Sequence, residues 1–334
     1  MPRSVAVVTG GAGFIGSELV RQLVEDGQDV LVLDNLVNGK RENLAGLPGA
    51  RVRLLEADVR HVEAYRHALP DAAVVYHLAC LGVRHSLHSP LDNHDVNATG
   101  TLALLHACRA ASVPRFVYVS SSEVYGTARR VPMTEEHPAF PHTVYGASKL
   151  AGECYARAFH STGGYPTVMV RPFNTYGPRC HHEGDSGEVI PKFVLRCLAG
   201  KPMVIFGDGR QTRDFTYVSD TAQGILRAGR MEAAIGRTLN LGSGAELSIN
   251  DLAVAVADAA GRPGAAVVHD QPRPGDVLRL YADTAQARAV LGYDPRVSLS
   301  EGLGRLLDWY RASGVAPERL LEADVVRNWE AAPR

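Results

Sequence analysis

The chain has 334 residues, 46% hydrophobic and 21% charged, with a formal net charge of −1. That length suits two domains, or one large α/β domain with an appendage, and the apolar content is ample for a buried core. A near-neutral balance without a long basic block argues against a nucleic-acid partner or an anionic membrane surface.

Met1-Pro2-Arg3-Ser4 runs directly into Val5-Ala6-Val7-Val8. That apolar run is too short for a signal segment or a membrane span, so a cytoplasmic location is expected. Five cysteines, Cys80, Cys108, Cys154, Cys180 and Cys197, are scattered without a Cys-x-x-Cys and read as reduced thiols. Val5–Thr9 is a β-branched run ended by glycines, the pattern of a buried parallel strand. Gly10-Gly11-Ala12-Gly13-Phe14-Ile15-Gly16 follows, and a helical pattern then covers residues 17–25. Glycines at a strand-to-helix junction let a pyrophosphate approach the backbone at a helix N-terminus. The next strand, Asp29–Asp34, ends in an acid where a carboxylate can accept hydrogen bonds from both ribose hydroxyls. Its charge repels a 2′-phosphate, so the expected dinucleotide is NAD, not NADP.

The alternation continues with strands over residues 51–56, 73–79 and 115–120, and helices over 62–69 and 97–111. The pattern specifies an α/β doubly wound parallel sheet. Ligands of such sheets gather at the carboxyl ends of the strands, which places Asp58, Cys80, Ser120, Ser121 and Ser122 at one rim. His77 reads as a strand-end packing residue and Cys80 as a small wall residue.

Thr143-Val144-Tyr145-Gly146-Ala147-Ser148-Lys149 opens the next helical stretch. Tyr145 and Lys149 are four apart and share one helix face. An ammonium near a phenol favours the phenolate, so Tyr145 can serve as a base. Composition strengthens the pairing. Of 35 basic residues only Lys40, Lys149, Lys192 and Lys201 are lysines, so a compact point charge has been used where the rest of the chain uses arginine.

Taken with Asp58-Val59, His77-Leu78-Ala79 and Ser120-Ser121-Ser122-Glu123-Val124-Tyr125-Gly126, these residues resemble an extended short-chain dehydrogenase/reductase. Within it, the chain is similar to nucleotide-sugar epimerases, dehydratases and decarboxylases over nearly its whole length. The resemblance implies a Rossmann domain over residues 1–172, with short returning segments near 210–242. A smaller, discontinuous α/β substrate domain would take residues 173–209 and 243–330. It implies a tightly held NAD against Gly10, Gly13, Phe14, Ile15, Gly16, Asp34, Asn35, Asn38, Gly39, Asp58 and Val59. Leu78, Ala79, Cys80, Asn97, Ser120, Tyr145, Lys149 and Pro172 would complete that wall. Homodimers pairing the helices that begin near Asn97 and Tyr145 are also implied.

In the second half, Pro172-Phe173-Asn174-Thr175-Tyr176-Gly177-Pro178-Arg179 ends a strand over residues 167–171 and begins an irregular region. Arg213 and Arg273 suit one diphosphate, because planar bidentate donors match it. By resemblance, Asn174 and Val189 touch a UDP-sugar, Phe206 lies against the uracil, Arg213 and Arg273 hold the diphosphate, and Asp276 holds the ribose. Cys180-His181-His182-Glu183 is a poor metal set, since adjacent ligands diverge on most backbones, and His85-Ser86-Leu87-His88 is no better. No metal is expected. With Gly184, Asp185, Ser186 and Gly187 following, the first of these reads as a loop over the active site.

The resemblance also implies the chemistry. Hydride leaves sugar C4 for NAD while Tyr145 takes the O4 proton, Lys149 lowers the Tyr145 pKa and orients the nicotinamide ribose, and Ser121 or Ser122 aligns O4. Dehydratases of this kind present an Asp-Glu pair where this chain has Ser122-Glu123, which argues against dehydration. Ser122-Glu123-Val124-Tyr125-Gly126 and residues 207–213 resemble UDP-glucuronate decarboxylases, whereas Gly82-Val83-Arg84 followed by Ser86-Leu87 resembles UDP-glucuronate 4-epimerases. The mixture points to a hexuronate whose carboxylate is retained, with Ser120, Ser121, Ser122 and Thr175 as donors to it and Arg84 or Arg179 as added charge. UDP-glucuronate decarboxylase, UDP-glucose 4-epimerase and a silent NAD-binding regulator are the alternatives, the last disfavoured because Tyr145, Lys149 and the serines are all present.

Overall fold

The computed structural model describes residues 5–330, so Met1-Pro2-Arg3-Ser4, and the expectation drawn from them, lie outside the described residues. In chain order come β1 (Val5–Thr9), α1 (Phe14–Glu25), β2 (Asp29–Asp34), β3 (Val52–Glu56), β4 (Ala72–His77), α2 (Val83–His88), α3 (Pro90–His94), α4 (Gly100–Ala110), β5 (Phe116–Val119), α5 (Val144–Gly163) and β6 (Thr167–Pro172). The second half adds β7 (Asn174–Tyr176), α6 (Val189–Leu198), β8 (Met203–Phe206), β9 (Thr212–Arg213), β10 (Phe215–Tyr217), α7 (Val218–Ala228), β11 (Thr238–Leu241), β12 (Leu247–Ser248), α8 (Ile249–Ala259), β13 (Val267–Asp270), α9 (Ala285–Leu291), α10 (Leu299–Ala312) and α11 (Pro317–Leu320).

Seven strands form one parallel sheet in the order β3-β2-β1-β4-β5-β6-β11. The order reverses between β1 and β4, and that switch point opens a crevice at the strands' carboxyl ends. Both faces are covered, which is why the strands read as continuous apolar runs. Leu19, Val20 and Leu23 of α1 pack on one face with Ile225 and Leu226 of α7, while Leu104, Leu105 and Cys108 of α4 pack on the other. A second core joins α6, α8 and α10 through Phe193, Leu252, Val256 and Leu306.

Three expectations from sequence are revised. The helix expected over residues 62–69 is two short turns, Val62–Ala64 and Arg66–Ala68, interrupted at Tyr65. The Tyr65 ring is buried there and its hydroxyl donates to the Val59 carbonyl at 2.8 Å. The helix expected from Asn97 begins earlier, as α3, and reaches α4 through a π-helical turn over Asp95–Thr99. The substrate-domain boundary is also interrupted, since Ala287, Leu291 and Tyr293 pack into the core of the large sheet, not the second core. Among the described residues, no helix is long and apolar enough to cross a membrane.

Candidate active site

The crevice at the switch point is a cavity of about 340 Å³, and a smaller lobe of about 110 Å³ adjoins it under α6 and β8. Arg84, Asn174, Thr175, Glu188, Arg213 and Arg273 line both lobes, so the two form one continuous cleft.

The large lobe begins at the turn from β1 into α1. Gly10 has a φ of +68°, and a Cβ there would lie 2.7 Å from the Ala79 amide nitrogen. Only glycine satisfies both the left-handed backbone and the close approach of the β4 end. Gly13 caps α1 without a side chain, so the first amides of the helix face the cleft unobstructed. An anion is favoured at such a terminus by the free N–H groups and the helix dipole. At the end of β2 the buried Asp34 carboxylate accepts from the amides of Ala12 at 3.0 Å and Leu36 at 2.9 Å. Burial raises its pKa and these amides pull it back down, so the carboxylate is oriented toward the cleft by backbone alone. Gly39 leaves room beside it, because a Cβ there would sit 2.5 Å from Asp34 Oδ1. This cradle fits a dinucleotide: glycine backbone for the pyrophosphate and a fixed acid for a ribose diol.

Phe14, Ile15, Gly16, Asn35, Asn38, Val59, Leu78, Ala79, Cys80, Ser120 and Pro172 also line this lobe, as expected. Two of the expected cofactor residues do not. The Asp58 carboxylate is taken by Arg60 at 2.8 Å and Asn35 at 3.0 Å. Asn97 is buried behind the wall, where its carboxamide accepts from the Leu81 amide at 2.8 Å and donates to the Leu81 carbonyl at 2.9 Å. Asn93 donates to the carbonyls of Leu81 and Gly82. The two asparagines therefore fix the backbone that leads into α2 without touching the cleft.

The end of the lobe that carries Tyr145 and Lys149 lies where β5, β6 and α5 meet. Thr143 caps α5 by accepting from the Gly146 amide at 3.2 Å, which sets Tyr145 in the first turn. A Cβ on Gly146 would be 2.6 Å from the Glu123 carbonyl, so the helix start and the Ser122–Val124 turn are in near contact. Tyr145, Lys149, Ser121, Ser122 and Glu123 all line the large lobe. Lys149 is itself buried, with its ammonium 4.9 Å from the centre of the Tyr118 ring. Burial lowers the Lys149 pKa, with Cys80 and Glu153 opposing.

Tyr145 departs from the sequence expectation. Burial holds its phenol well above the ordinary value, Cys80, Glu123 and Glu188 push the same way, and a hydrogen bond with Ser121 pulls it down. Within the protein itself these effects outweigh any lowering by Lys149, and the phenol is neutral at rest. His77 is a core residue: its Nδ1 pairs with Thr9 Oγ1 at 2.7 Å and its Nε2 with Thr101 Oγ1 at 2.8 Å, and burial pushes it down to about 3.

The arginines separate clearly. Arg179 is diverted to α1, donating to Ser17 Oγ at 3.1 Å and pairing with Glu18, and lines neither lobe. Arg213 is buried and bound to the Val277 carbonyl at 2.8 Å and to Asp276 at 2.6 Å, and Arg273 pairs with the same carboxylate. Asp276 therefore holds two guanidinium groups side by side at the mouth of the small lobe. Arg84, on α2, has no hydrogen-bonded or ion-paired partner among the described residues, and lies within the fields of Glu123, Glu188 and Asp276. Gly82 caps α2 and Val83–His88 form it, so a short helix carries this unpaired cation into the cleft.

Thr175 lines the cleft, but its hydroxyl donates toward the Phe173 carbonyl or Thr221 Oγ1, each at 3.1 Å, and is not a free donor to a ligand. Ser120 Oγ and Asn174 Oδ1 are buried without a hydrogen-bond partner. Val189, Phe206 and Asp276 line the small lobe. His181, Asp185 and Ser186, on the loop read from sequence as lying over the site, line the large lobe, whereas Glu188 beside them was missed. The loop over residues 181–188 is tied to the first domain by Lys40 with Glu183 and by His88 with Asp185 at 3.1 Å. Neither pairing follows from local spacing.

The model of the NAD dependent epimerase/dehydratase family matches residues 6–242. The chain is 37% identical over 308 residues to a putative UDP-glucose 4-epimerase of Methanocaldococcus jannaschii, covering 91% of this chain and 98% of that one. It superposes on the UDP-glucose 4-epimerase of Thermotoga maritima, solved with UDP-glucose, with a TM-score of 0.87, 32% identity and coverage of 93% of this chain and 100% of that one. The structure of MoeE5 in complex with UDP-glucuronic acid and NAD matches with a TM-score of 0.81 and 34% identity, covering 92% of this chain and 99% of that one. Other relatives bear the names UDP-glucuronic acid decarboxylase and dTDP-glucose 4,6-dehydratase.

Proposed function

The chain belongs to the NAD dependent epimerase/dehydratase family, and from that premise we propose that it is a 4-epimerase of UDP-hexuronates, interconverting UDP-glucuronate and UDP-galacturonate. The observation that carries the reading is Arg84, an unpaired guanidinium shared by both lobes of the cleft. A desolvated guanidinium that no described carboxylate reaches within ion-pair distance favours an anionic ligand. Arg213 and Arg273 already supply a paired cationic mouth for a diphosphate, which leaves Arg84 for a second anion such as a sugar carboxylate. The structure of MoeE5 with UDP-glucuronic acid supports a hexuronate in a relative of this fold.

In this reading the large lobe takes NAD along Gly10, Gly13 and Asp34, the small lobe takes the nucleotide, and the sugar lies between them at Tyr145. NAD, when bound, would supply the hydride acceptor. Tyr145 removes the O4 proton, and Ser121, hydrogen-bonded to it, favours the phenolate and aligns the sugar hydroxyl. Lys149, on the same helix face and lining the same lobe, would hold the nicotinamide ribose. Oxidation at C4 creates a β-keto acid, which loses CO₂ when its C–carboxylate bond aligns with the carbonyl π system. Arg84, with the orphaned Ser120 hydroxyl and Ser122, holds the carboxylate out of that alignment while the ring turns about its diphosphate. Ser122 occupies the position at which a dehydratase needs an acid, so expulsion of the 6-substituent has no proton donor there. We also propose a homodimer through α4 and α5, where Leu102 and Val144 are exposed.

Purified protein incubated with UDP-glucuronate tests the reading. UDP-galacturonate without CO₂ is the expected result. CO₂ with a UDP-pentose would make the enzyme a decarboxylase, and turnover of UDP-glucose alone would remove the hexuronate from the proposal.

A further inference from the structure

Chain termini are ordinarily loosely held unless docked. The segment after α11 is docked in detail. Asp324 pairs with Lys192 at 3.1 Å and Arg196 at 2.7 Å, and Arg327 pairs with Asp270 at 2.8 Å. Lys192 also donates to the Val325 carbonyl at 2.6 Å. Asn328 and Trp329 are buried, at 4% and 6% exposure. Asn328 donates to the Gly187 carbonyl at 2.9 Å, and Trp329 meets the Phe206 ring edge-on, with centroids 4.6 Å apart and planes at 84°. Asp324, Val326 and Asn328 form part of the wall of the small lobe.

From this placement we propose that the carboxyl-terminal segment is part of the nucleotide site, with Trp329 and Asn328 as positioning residues for a pyrimidine base. The assignment rests on the reading that the small lobe takes UDP. A planar base gains from an aromatic face held at a fixed angle, and an edge-to-face partner fixes that angle. Trp329 locks the Phe206 ring from one side and leaves it directed at the lobe that it lines. Asn328 ties the same wall to the 181–188 loop through Gly187, so base binding and loop position share one support. Asp324 holds Lys192 and Arg196 much as Asp276 holds Arg213 and Arg273, and of the two pairs only Arg213 and Arg273 line both lobes, where a diphosphate joining sugar to nucleoside would pass.

Calorimetric titration with UDP, together with steady-state kinetics on the UDP-sugar, tests the assignment in the full chain. Trp329→Ala should weaken UDP binding about tenfold and raise KM by a similar factor, with kcat within about twofold, the split expected of a remote binding contact. Trp329→Phe should keep UDP affinity within about threefold of wild type, since an aromatic edge survives. The chain has two tryptophans, so in Trp309→Phe the remaining emission is that of Trp329, and saturation with UDP should shift it even if Trp329→Ala fails to fold. Wild-type affinity in a folded Trp329→Ala, or an emission unmoved at UDP saturation, would overturn the proposal while leaving the nucleotide reading intact. Absence of UDP binding by the wild type would bring down both.

Discussion

Replacing Arg84 by Gln separates a carboxylate clamp from general phosphate binding. The guanidinium lines both lobes, has no hydrogen-bonded or ion-paired partner among the described residues, and sits among Arg273, Glu188, Glu123 and Asp276. If its partner is the hexuronate carboxylate, the substitution removes a charge-assisted hydrogen bond worth about 1.5–3 kcal/mol. At 1.4 kcal/mol per decade, kcat/KM for UDP-glucuronate should fall roughly ten- to 150-fold. UDP-glucose carries no carboxylate, so its kcat/KM should change by less than about threefold, the residue of altered cleft electrostatics. The assay is the ratio of the two specificity constants in wild type and variant, with CO₂ measured in parallel. Loss of the clamp frees the keto acid to align, so the fraction of turnovers ending in CO₂ should rise. An equal fall with both substrates would refute the reasoning, because it would place Arg84 on the diphosphate common to both.

Tyr145→Phe should lower kcat by about 10²–10⁴, the usual worth of a positioned acid–base group, with UDP affinity unchanged in calorimetry. The pH profile of kcat/KM should move in opposite directions in two variants. Glu188→Gln removes a negative charge that raises the Tyr145 pKa, so the alkaline rise begins at lower pH, while Ser121→Ala removes the hydrogen bond that lowers it, so the rise begins at higher pH. Profiles that coincide with wild type would exclude Tyr145 as the titrating base. Glu153→Gln should destabilise the fold by about 3–5 kcal/mol in denaturant unfolding, because it strands the buried Arg171 that Glu153 holds through two bonds of 2.8 and 2.6 Å.

The sheet, the glycine turn and Asp34 were legible in the linear chain because each depends on near neighbours: the apolar run of a doubly covered strand, the turn that only Gly10 can make, an acid at a strand end. Tyr145 and Lys149 share a face by helical spacing alone, and Asn174, Phe206, Arg213 and Arg273 line the cleft as the family resemblance implies. The protonation state of Tyr145 was not legible, since burial and the charges of Cys80, Glu123 and Glu188, on three other segments of chain, set it. Nor was the choice between Arg84 and Arg179. Both follow a glycine-containing turn, but Arg179 meets Glu18, 161 residues earlier, whereas α2 carries Arg84 to a place where no carboxylate among the described residues pairs with it. Asn97 was assigned to the cofactor, yet the π-helical turn points its carboxamide at Leu81. The docking of Trp329 on Phe206 joins residues with no relation in sequence. Sequence alone therefore determines the class of fold and the shared helix face of Tyr145 and Lys149, because period and spacing act over one or two turns. Tertiary structure decides which charges remain unpaired in the cleft, because neutralisation depends on whichever side chain the fold brings within hydrogen-bond reach.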